Sequence, residues 1–247
     1  MSRGYLIYAI DEPYTSMANT LKKSIEYHTD DNVTICSNSL KEFGGDATFG
    51  QTHKIHNLWQ IYWMSPYNET IVLDADMIFL NDYSYWWDYL SKFDILFPNT
   101  IINYKQETVQ HKQYDKILTD NNIRPAYEKM FYFKKSLMAL EFFTILGETI
   151  INFNKFSFDY FPDYKPQSCI TSYIFPICIK MLGIEDVIYD KNDIFKYIDM
   201  KLSCLNTSNI IKWDEDLEHW GDYKEFYIEN FKQYYPLHYR NAEIFTL

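Results

Sequence analysis

Two aspartates separated by one residue, Asp74 and Asp76, carry the most informative chemistry in the sequence. They follow an apolar run at residues 70–73, and carboxylates beside such a run are costly to bury unless they have partners. Oxygen ligands at this spacing suit Mn²⁺ or Mg²⁺ and leave room for phosphate oxygens. A divalent cation bridging a diphosphate would neutralise the charge that develops on a departing nucleoside diphosphate. The pair therefore predicts a metal site that handles a phosphorylated ligand.

The elements around this pair indicate an α/β fold with a mixed sheet. Apolar runs rich in β-forming residues predict strands at 5–10, 33–36, 70–73, 77–80, 94–97, 130–133 and 187–189. Helical periodicity predicts helices from Tyr14 through Ile25, and at 52–63, 137–151 and 170–182. Past residue 190 the periodicity fades. Ligands of open α/β sheets bind beyond the carboxyl ends of the strands, which is where Asp74 and Asp76 fall.

Composition predicts one domain in a reducing compartment. The chain has 247 residues, 47% of them hydrophobic, which suffices for one sizeable core, and no stretch has the composition of a linker. The apolar run at 5–10 is far shorter than the roughly 20 residues of a membrane span. The cysteines, Cys36, Cys169, Cys178 and Cys204, have no paired spacing and are expected to be free thiols. A cytoplasmic location is expected.

Charge bears on the class of partner. The net charge of −11 disfavours general binding to nucleic acid or to anionic membranes. Residues 101–140 reverse this sign, with four acidic residues against seven basic ones: Lys105, Lys112, Lys116, Arg124, Lys129, Lys134 and Lys135. Two interpretations remain open, an ordinary solvated surface and a locally basic surface for an anionic acceptor.

Three stretches of the chain resemble the GT-A glycosyltransferases, in particular the glycogenin-like group and the enzymes carried by bacteriophages and large DNA viruses. These stretches are GYLIYA at 4–9, SPYNET at 65–70 leading into Asp74-Ala75-Asp76, and FYFKKS at 131–136. The resemblance covers roughly residues 4–185. It implies a GT-A nucleotide-diphospho-sugar transferase sandwich formed by a single domain, 1–247. Residues 1–100 would bind the nucleotide sugar, and residues 101–247 would form the acceptor half and the C-terminal metal-site segment.

The resemblance also implies a set of site residues. Asp74, Asp76 and His238 match the metal ligands, so Mn²⁺ or Mg²⁺ is expected as cofactor and a UDP-sugar as donor. Donor-binding positions fall on Ala9, Ile10, Tyr14, Lys54, Ala75 and Arg240. Among these, Tyr14 matches the aromatic that stacks on the nucleobase, while Lys54 and Arg240 match cations that reach the phosphates. A lysine in the first turn of a helix opposes the helix dipole, which favours a functional role for Lys54. Tyr14 and His238 could instead be packing residues.

Departures from the family pattern leave the catalytic base open. Lys129, followed by Met130 and Phe131, stands where the glycogenin-like pattern has an Asn-Ser-Gly step. The carboxylate expected at the start of the later helix is replaced by the Gln-Ser-Cys sequence at 167–169. Asp163 lies a few residues upstream and is a candidate substitute. The sugar and the stereochemical outcome stay open for the same reason.

A phosphatase and a non-catalytic binding module are the alternatives to a hexosyl- or pentosyltransferase. A haloacid-dehalogenase-type phosphatase is disfavoured, because its D-x-D lies near the N-terminus and continues with Thr or Val, whereas here Met77 follows. A non-catalytic module that binds nucleotide sugars remains open. Acceptors of viral relatives include glycans, proteins and hydroxymethylated pyrimidines in viral DNA. The net charge argues against DNA and the basic segment favours it, and the prediction leans towards modified DNA in a host cytoplasm.

Overall fold

The computed structural model of the protein describes residues 2–37, 54–109, 115–160, 169, 171–188, 193–201, 205, 210 and 212–245. The helices are α1 Tyr14–His28, α2 Ile61–Met64, α3 Trp86–Leu90, α4 Asp115–Asp120, α5 Leu137–Ile151, α6 Phe153–Tyr160, α7 Thr171–Leu182 and α8 Trp213–Asp216, with 3₁₀ helices at Lys54–Gln60 and Glu185–Ile188. The strands are β1 Arg3–Tyr8, β2 Asn32–Cys36, β3 Glu69–Asp74, β4 Met77–Ile78, β5 Ile95–Leu96, β6 Ile101–Ile102, β7 Thr108–Val109, β8 Met130–Lys134, β9 Tyr197–Asp199, β10 His219–Asp222, β11 Glu225–Ile228, β12 Phe231–Lys232 and β13 Leu237–His238. The predicted α/β class with a mixed sheet is confirmed.

A five-stranded mixed sheet lies at the centre of the fold, in the order β2-β1-β3-β8-β5. Strands β1, β2 and β3 run parallel, whereas β8 is antiparallel to both of its neighbours. Alternate residues of these strands face opposite layers, as the period of two requires. Leu6 and Val72 belong to the apolar cluster that contains α5 and α7, while Ile7 and Leu73 belong to the cluster that contains α1. The sheet is therefore covered by helices on both faces, which accounts for its nearly continuous apolar strands.

The second five-stranded sheet combines three short strands from the first half of the chain with two strands from the part after residue 190. Its order is β4-β13-β9-β6-β7, with β13 antiparallel to β4 and parallel to β9. A third sheet is the antiparallel hairpin set β10-β11-β12. The second sheet thus brings the C-terminal segment against the turn that follows β3.

Helix predictions from periodicity agree with the structure to different degrees. Helix α5 has the predicted bounds, and the side chain of Ser136 caps it by accepting a hydrogen bond from the backbone N–H of Ala139. Helices α1 and α7 also lie where they were predicted. The helix predicted at 52–63 is mostly a 3₁₀ helix, Lys54–Gln60, with one α-helical turn after it.

The strand predicted at 187–189 is wrong. Val187 and Ile188 lie in a 3₁₀ helix, and Tyr189 is outside the described residues. The backbone carbonyl of Val187 accepts a hydrogen bond from Phe97 N–H, and both apolar side chains are buried in the core. A short apolar run can be buried in this way without pairing in a sheet, which periodicity alone does not reveal. The extended segment predicted at 77–80 contains the two-residue strand β4, and the strand predicted at 94–97 contains β5.

Candidate metal centre and donor pocket

The two aspartates lie in the turn that joins β3 to β4. Asp74 is the last residue of β3, and its backbone N–H donates to the carbonyl of Lys129 just before β8. Ala75 is buried in the core, while Asp74 and Asp76 keep 24% and 14% of their side-chain surface exposed. The turn therefore buries its central methyl group and leaves both carboxylates within reach of a ligand.

His238 reaches Asp76 through the pairing of β13 with β4. The register places His238 opposite Met77, and the N–H of Tyr239 donates to the carbonyl of Asp76. The imidazole Nε2 lies 3.1 Å from Asp76 Oδ1, and Nδ1 lies 3.2 Å from Asp199 Oδ1. Asp199 stands opposite His238 in the neighbouring parallel strand β9. Strand register thus brings residues from three distant parts of the sequence into one cluster.

Asp74, Asp76 and His238 could hold a metal ion. Each offers one ligand atom, and these atoms lie within 4.8 Å of one another. Two carboxylate oxygens and one imidazole nitrogen form a donor set that suits Mn²⁺ and other divalent cations. Asp199 provides the outer partner that metal-bound histidines generally have, a carboxylate on the second ring nitrogen that fixes the orientation of the ring. The donor set and its orientation fit the cofactor that the sequence predicts.

The carboxylates of the cluster favour positive charge in their midst. Burial raises the pKa of Asp74 above its usual value, although Lys129 opposes this effect. Burial acts the same way on Asp76, but the charge and hydrogen bond of His238, together with the charge of Lys129, outweigh burial and lower the pKa of Asp76. Burial alone would lower the pKa of His238, yet the carboxylates of Asp76 and Asp199 raise it to about 10. The surrounding acids therefore favour positive charge at the imidazole position.

A half-buried lysine and a buried glutamate adjoin the candidate metal ligands, and neither was predicted as a site residue. Lys129 Nζ lies 3.0 Å from Asp74 Oδ2 and 3.5 Å from Glu128 Oε1. Glu128 is 4% exposed, and its Oε1 also accepts hydrogen bonds from the hydroxyls of Thr171 and Ser172 at the start of α7. Burial opposes the charges of both residues. The carboxylates of Asp74 and Glu128 nevertheless raise the pKa of Lys129, and the charge of Lys129 together with hydrogen bonds lowers the pKa of Glu128. Lys129 begins the stretch that stands where the family pattern has Asn-Ser-Gly.

Two further cations follow β9 and β13 at the same end of the second sheet. Lys201 comes two residues after Asp199, and its backbone N–H donates to Asp199 Oδ1. Arg240 comes two residues after His238, is exposed and has a φ of 70°. Burial and the nearby charge of Arg240 lower the pKa of Lys201. The two side chains thus add positive charge beside the acidic cluster, as an anionic ligand would require.

The structure describes some of the predicted donor-binding residues, and these differ in position and burial. Ala9 and Ile10 leave the sheet at the same edge as Asp74, because β1 and β3 are parallel and Tyr8 lies opposite Asp74. Ala9 is buried, with its N–H bonded to the carbonyl of Cys36, and Ile10 is half-buried. Tyr14 is the first residue of α1 and is 50% exposed. Lys54 begins a 3₁₀ helix, but its side chain, like Asp163, lies outside the described residues.

Comparisons with known proteins give distant structural likenesses. No protein-family model matches the chain, and no curated protein matches it. The glycosyltransferase GlyE of Streptococcus pneumoniae TIGR4 is similar at 14% identity and a TM-score of 0.41, over 78% of this chain and 46% of GlyE. Mouse xyloside xylosyltransferase 1 is similar at 9% identity and a TM-score of 0.42, over 80% and 85% of the two chains. A glycosyltransferase involved in glycosylation of the major capsid of PBCV-1 is similar at 16% identity and a TM-score of 0.37, over 71% and 78%.

These likenesses are too distant to transfer an activity, and the chain spans less than half the length of GlyE.

Within the described ranges, each helix is either too short or too polar to cross a bilayer.

The outer partner of His238 offers a test of the metal centre. Asp199→Asn keeps the size of the side chain but removes the carboxylate that orients the imidazole, so Mn²⁺ affinity is expected to fall by about 10–100-fold. Titration calorimetry with Mn²⁺ measures this change, and the exposed Asp88→Asn is the matched control with one less negative charge. Equal affinities in the two variants would show that Asp199 does not support a metal ligand.

Proposed function

We propose that the chain is a metal-dependent glycosyltransferase that moves a hexose or pentose from a UDP-sugar to an acceptor hydroxyl. The observation that carries this proposal is the cluster of Asp74, Asp76 and His238 at the carboxyl edge of parallel strands β1 and β3. In open α/β sheets this edge is where nucleotide ligands bind. A cluster of acids and a histidine with adjacent cations suits a diphosphate held through a metal better than it suits a neutral ligand.

Different residues of the protein would bind the diphosphate and the base of the UDP-sugar donor. A divalent cation at the cluster would supply Lewis-acid stabilisation of the diphosphate. Lys201 and Arg240 would bind phosphate oxygens that the metal does not reach, since they come just after Asp199 in β9 and His238 in β13. Ala9 and Ile10 would line the base pocket with backbone and apolar surface, and Tyr14 would stack on the base.

Transfer exchanges one bond at the anomeric carbon for another. The bond to the phosphate oxygen breaks, and its electron pair leaves with the nucleoside diphosphate. A bond to the acceptor hydroxyl oxygen forms, and the hydroxyl proton is lost.

The carboxylate of Glu128 lies against the start of α7, where the resemblance predicts a carboxylate. Because its Oε1 is already bonded to Thr171, Ser172 and Lys129, we assign it the role of holding Lys129 near Asp74 rather than of accepting that proton.

A hydroxyl of a glycan is the acceptor that we propose. The basic segment is the main argument for a hydroxymethylated base in DNA, but among its described residues at least three of the seven cations have partners within the protein. Lys129 pairs with Asp74, Lys134 with Asp94, and Lys135 donates to the carbonyl of Ser65. Lys112 lies outside the described residues. With these charges satisfied within the protein, little remains to offset its net charge of −11 against a polyanion.

A donor screen tests the proposed activity. The protein is incubated with Mn²⁺ and a panel of UDP- and GDP-sugars, first in water and then with oligosaccharides or hydroxymethylated DNA as acceptors, and products are identified by mass spectrometry. Hydrolysis or transfer of a UDP-sugar is expected. Metal-dependent nucleotide binding without turnover of any donor would support the non-catalytic module instead.

Tyr14 provides a separate test of the base pocket. If its ring stacks on the uracil, Tyr14→Ala is expected to weaken UDP binding in the presence of Mn²⁺ by about 1–3 kcal/mol, the range found for base–aromatic stacking elsewhere. Calorimetry measures the affinity. Tyr27→Ala is the matched control, because Tyr27 is equally exposed at the opposite end of the same helix. An unchanged affinity in Tyr14→Ala would place the base elsewhere.

A further inference from the structure

The hairpin set β10-β11-β12 carries an exposed aromatic row that the proposed transfer reaction does not use. Trp220 in β10 lies opposite Tyr227 in β11, and Tyr227 lies opposite Lys232 in β12. The rings of Trp220 and Tyr227 are stacked, with centroids 3.9 Å apart and planes 8° apart. Although it is stacked on one face, Trp220 is 56% exposed. The opposite side of this sheet is apolar core, where Phe226 and Ile228 are buried.

Polar contacts hold this row in place. The carboxylate Oε1 of Glu225 accepts a hydrogen bond of 2.8 Å from the Tyr227 hydroxyl and lies 2.7 Å from Lys232 Nζ. Lys232 Nζ in turn lies over the rings of Tyr227 and Tyr234, at 5.9 Å and 5.8 Å from their centroids. Tyr234 is 47% exposed. The aromatic faces are therefore ordered before any ligand arrives, which lowers the entropic cost of binding.

We propose that Trp220, Tyr227 and Tyr234, with Glu225 and Lys232 beside them, form a binding platform for a neutral oligosaccharide. An exposed ring face packs against the apolar C–H face of a pyranose, while a carboxylate and an ammonium at its edge can bond the sugar hydroxyls. The indole of Trp220 offers the ring face, and the Glu225–Lys232 ion pair offers the hydrogen-bonding groups, within one cross-strand row.

Charge selects a neutral glycan over a nucleic acid, which also stacks on aromatic rings. Residues 212–232 contain seven acidic residues against three lysines. Stacking platforms for single-stranded nucleic acid combine aromatic rings with a positively charged groove, and this segment has the opposite sign. A polyanion would be repelled, whereas an uncharged oligosaccharide would not.

Binding is tested without any need for turnover, so that failure here and failure of the proposed transferase activity remain separate results. The full chain is titrated with maltohexaose, cellohexaose, chitohexaose and, as the nucleic-acid probe, a dT₁₂ oligonucleotide. At least one hexasaccharide is expected to bind. Trp220→Ala is expected to weaken that binding by at least about tenfold, the scale of a central tryptophan at a recognition surface, and Trp220→Phe is expected to restore part of it.

Trp63→Ala is the control, because Trp63 is also exposed but lies in α2, away from the hairpins. Trp63→Ala should bind as the unmodified protein does, and calorimetric UDP binding and the far-UV circular dichroism should be the same in all variants. Absence of binding to every hexasaccharide, equal binding by Trp220→Ala, or tighter Trp220-dependent binding of dT₁₂ would each overturn the proposal.

Discussion

Asp76→Asn is expected to reduce turnover of the sugar donor by at least about a hundredfold, because a bound cation contributes several kcal/mol of transition-state stabilisation. Asp76 offers one of the three candidate ligand atoms, and its Oδ1 lies 3.1 Å from His238 Nε2. Asparagine preserves the size of the side chain and one oxygen, but it removes the negative charge that holds a divalent cation. Donor turnover and Mn²⁺ affinity, measured together, should fall in parallel.

The exposed Asp88→Asn controls for the loss of one negative charge and should retain full activity. Circular dichroism of Asp76→Asn should match that of the unmodified protein, so that a loss of turnover can be attributed to the site. Full activity of Asp76→Asn would contradict the assignment of the metal centre.

Lys129→Met is expected to destabilise the metal-free protein by about 2–4 kcal/mol, because breaking a buried ion pair leaves uncompensated charge and costs more than an exposed pair contributes. Its side chain is three-quarters buried, and its ammonium lies between Asp74 and Glu128. Methionine retains the apolar stem and removes the charge. We expect Mn²⁺ to restore much of the lost stability, because a divalent cation bound at Asp74 replaces the missing positive charge.

Urea unfolding with and without Mn²⁺ measures both effects. The control is Lys180→Met, which removes a 2.7 Å pair with Glu185 on the exposed end of α7. Such a surface pair contributes about 0–1 kcal/mol, and its loss should not respond to metal. If Lys129→Met is as stable as Lys180→Met, or if Mn²⁺ does not restore its stability, then Lys129 does not balance the charge of Asp74 in the metal-free protein.

Sequence predicted those parts of the fold whose signals are local. Helix α5 has the predicted bounds, because its apolar pattern is a local signal, and the structure adds a cap from Ser136. The β3 strand and the acids at its end were also predicted, since three consecutive apolar residues running into Asp74 are distinctive. His238 was placed in the metal site by resemblance, and the structure brings it within 3.1 Å of Asp76.

The partners of these residues could not be predicted, because strand register determines them. Asp199 meets His238 across parallel strands, and neither strand exceeds three residues, too short for a periodic signal. One signal was present: Asp199 ends the apolar run at 197–198, as Asp74 ends its own. Glu128 and Lys129 had no such signal, because a charged pair before a strand is ordinary until β8 brings it beside Asp74.

The most direct test of the central claim is the rate at which the unmodified protein consumes a UDP-sugar, measured with Mn²⁺ and again with excess chelator. The geometry of Asp74, Asp76 and His238 predicts turnover with the metal, its loss with chelator, and its recovery when Mn²⁺ is returned in excess. Turnover that chelator leaves undiminished would contradict the account, because the cluster that defines the site would then have no part in the reaction.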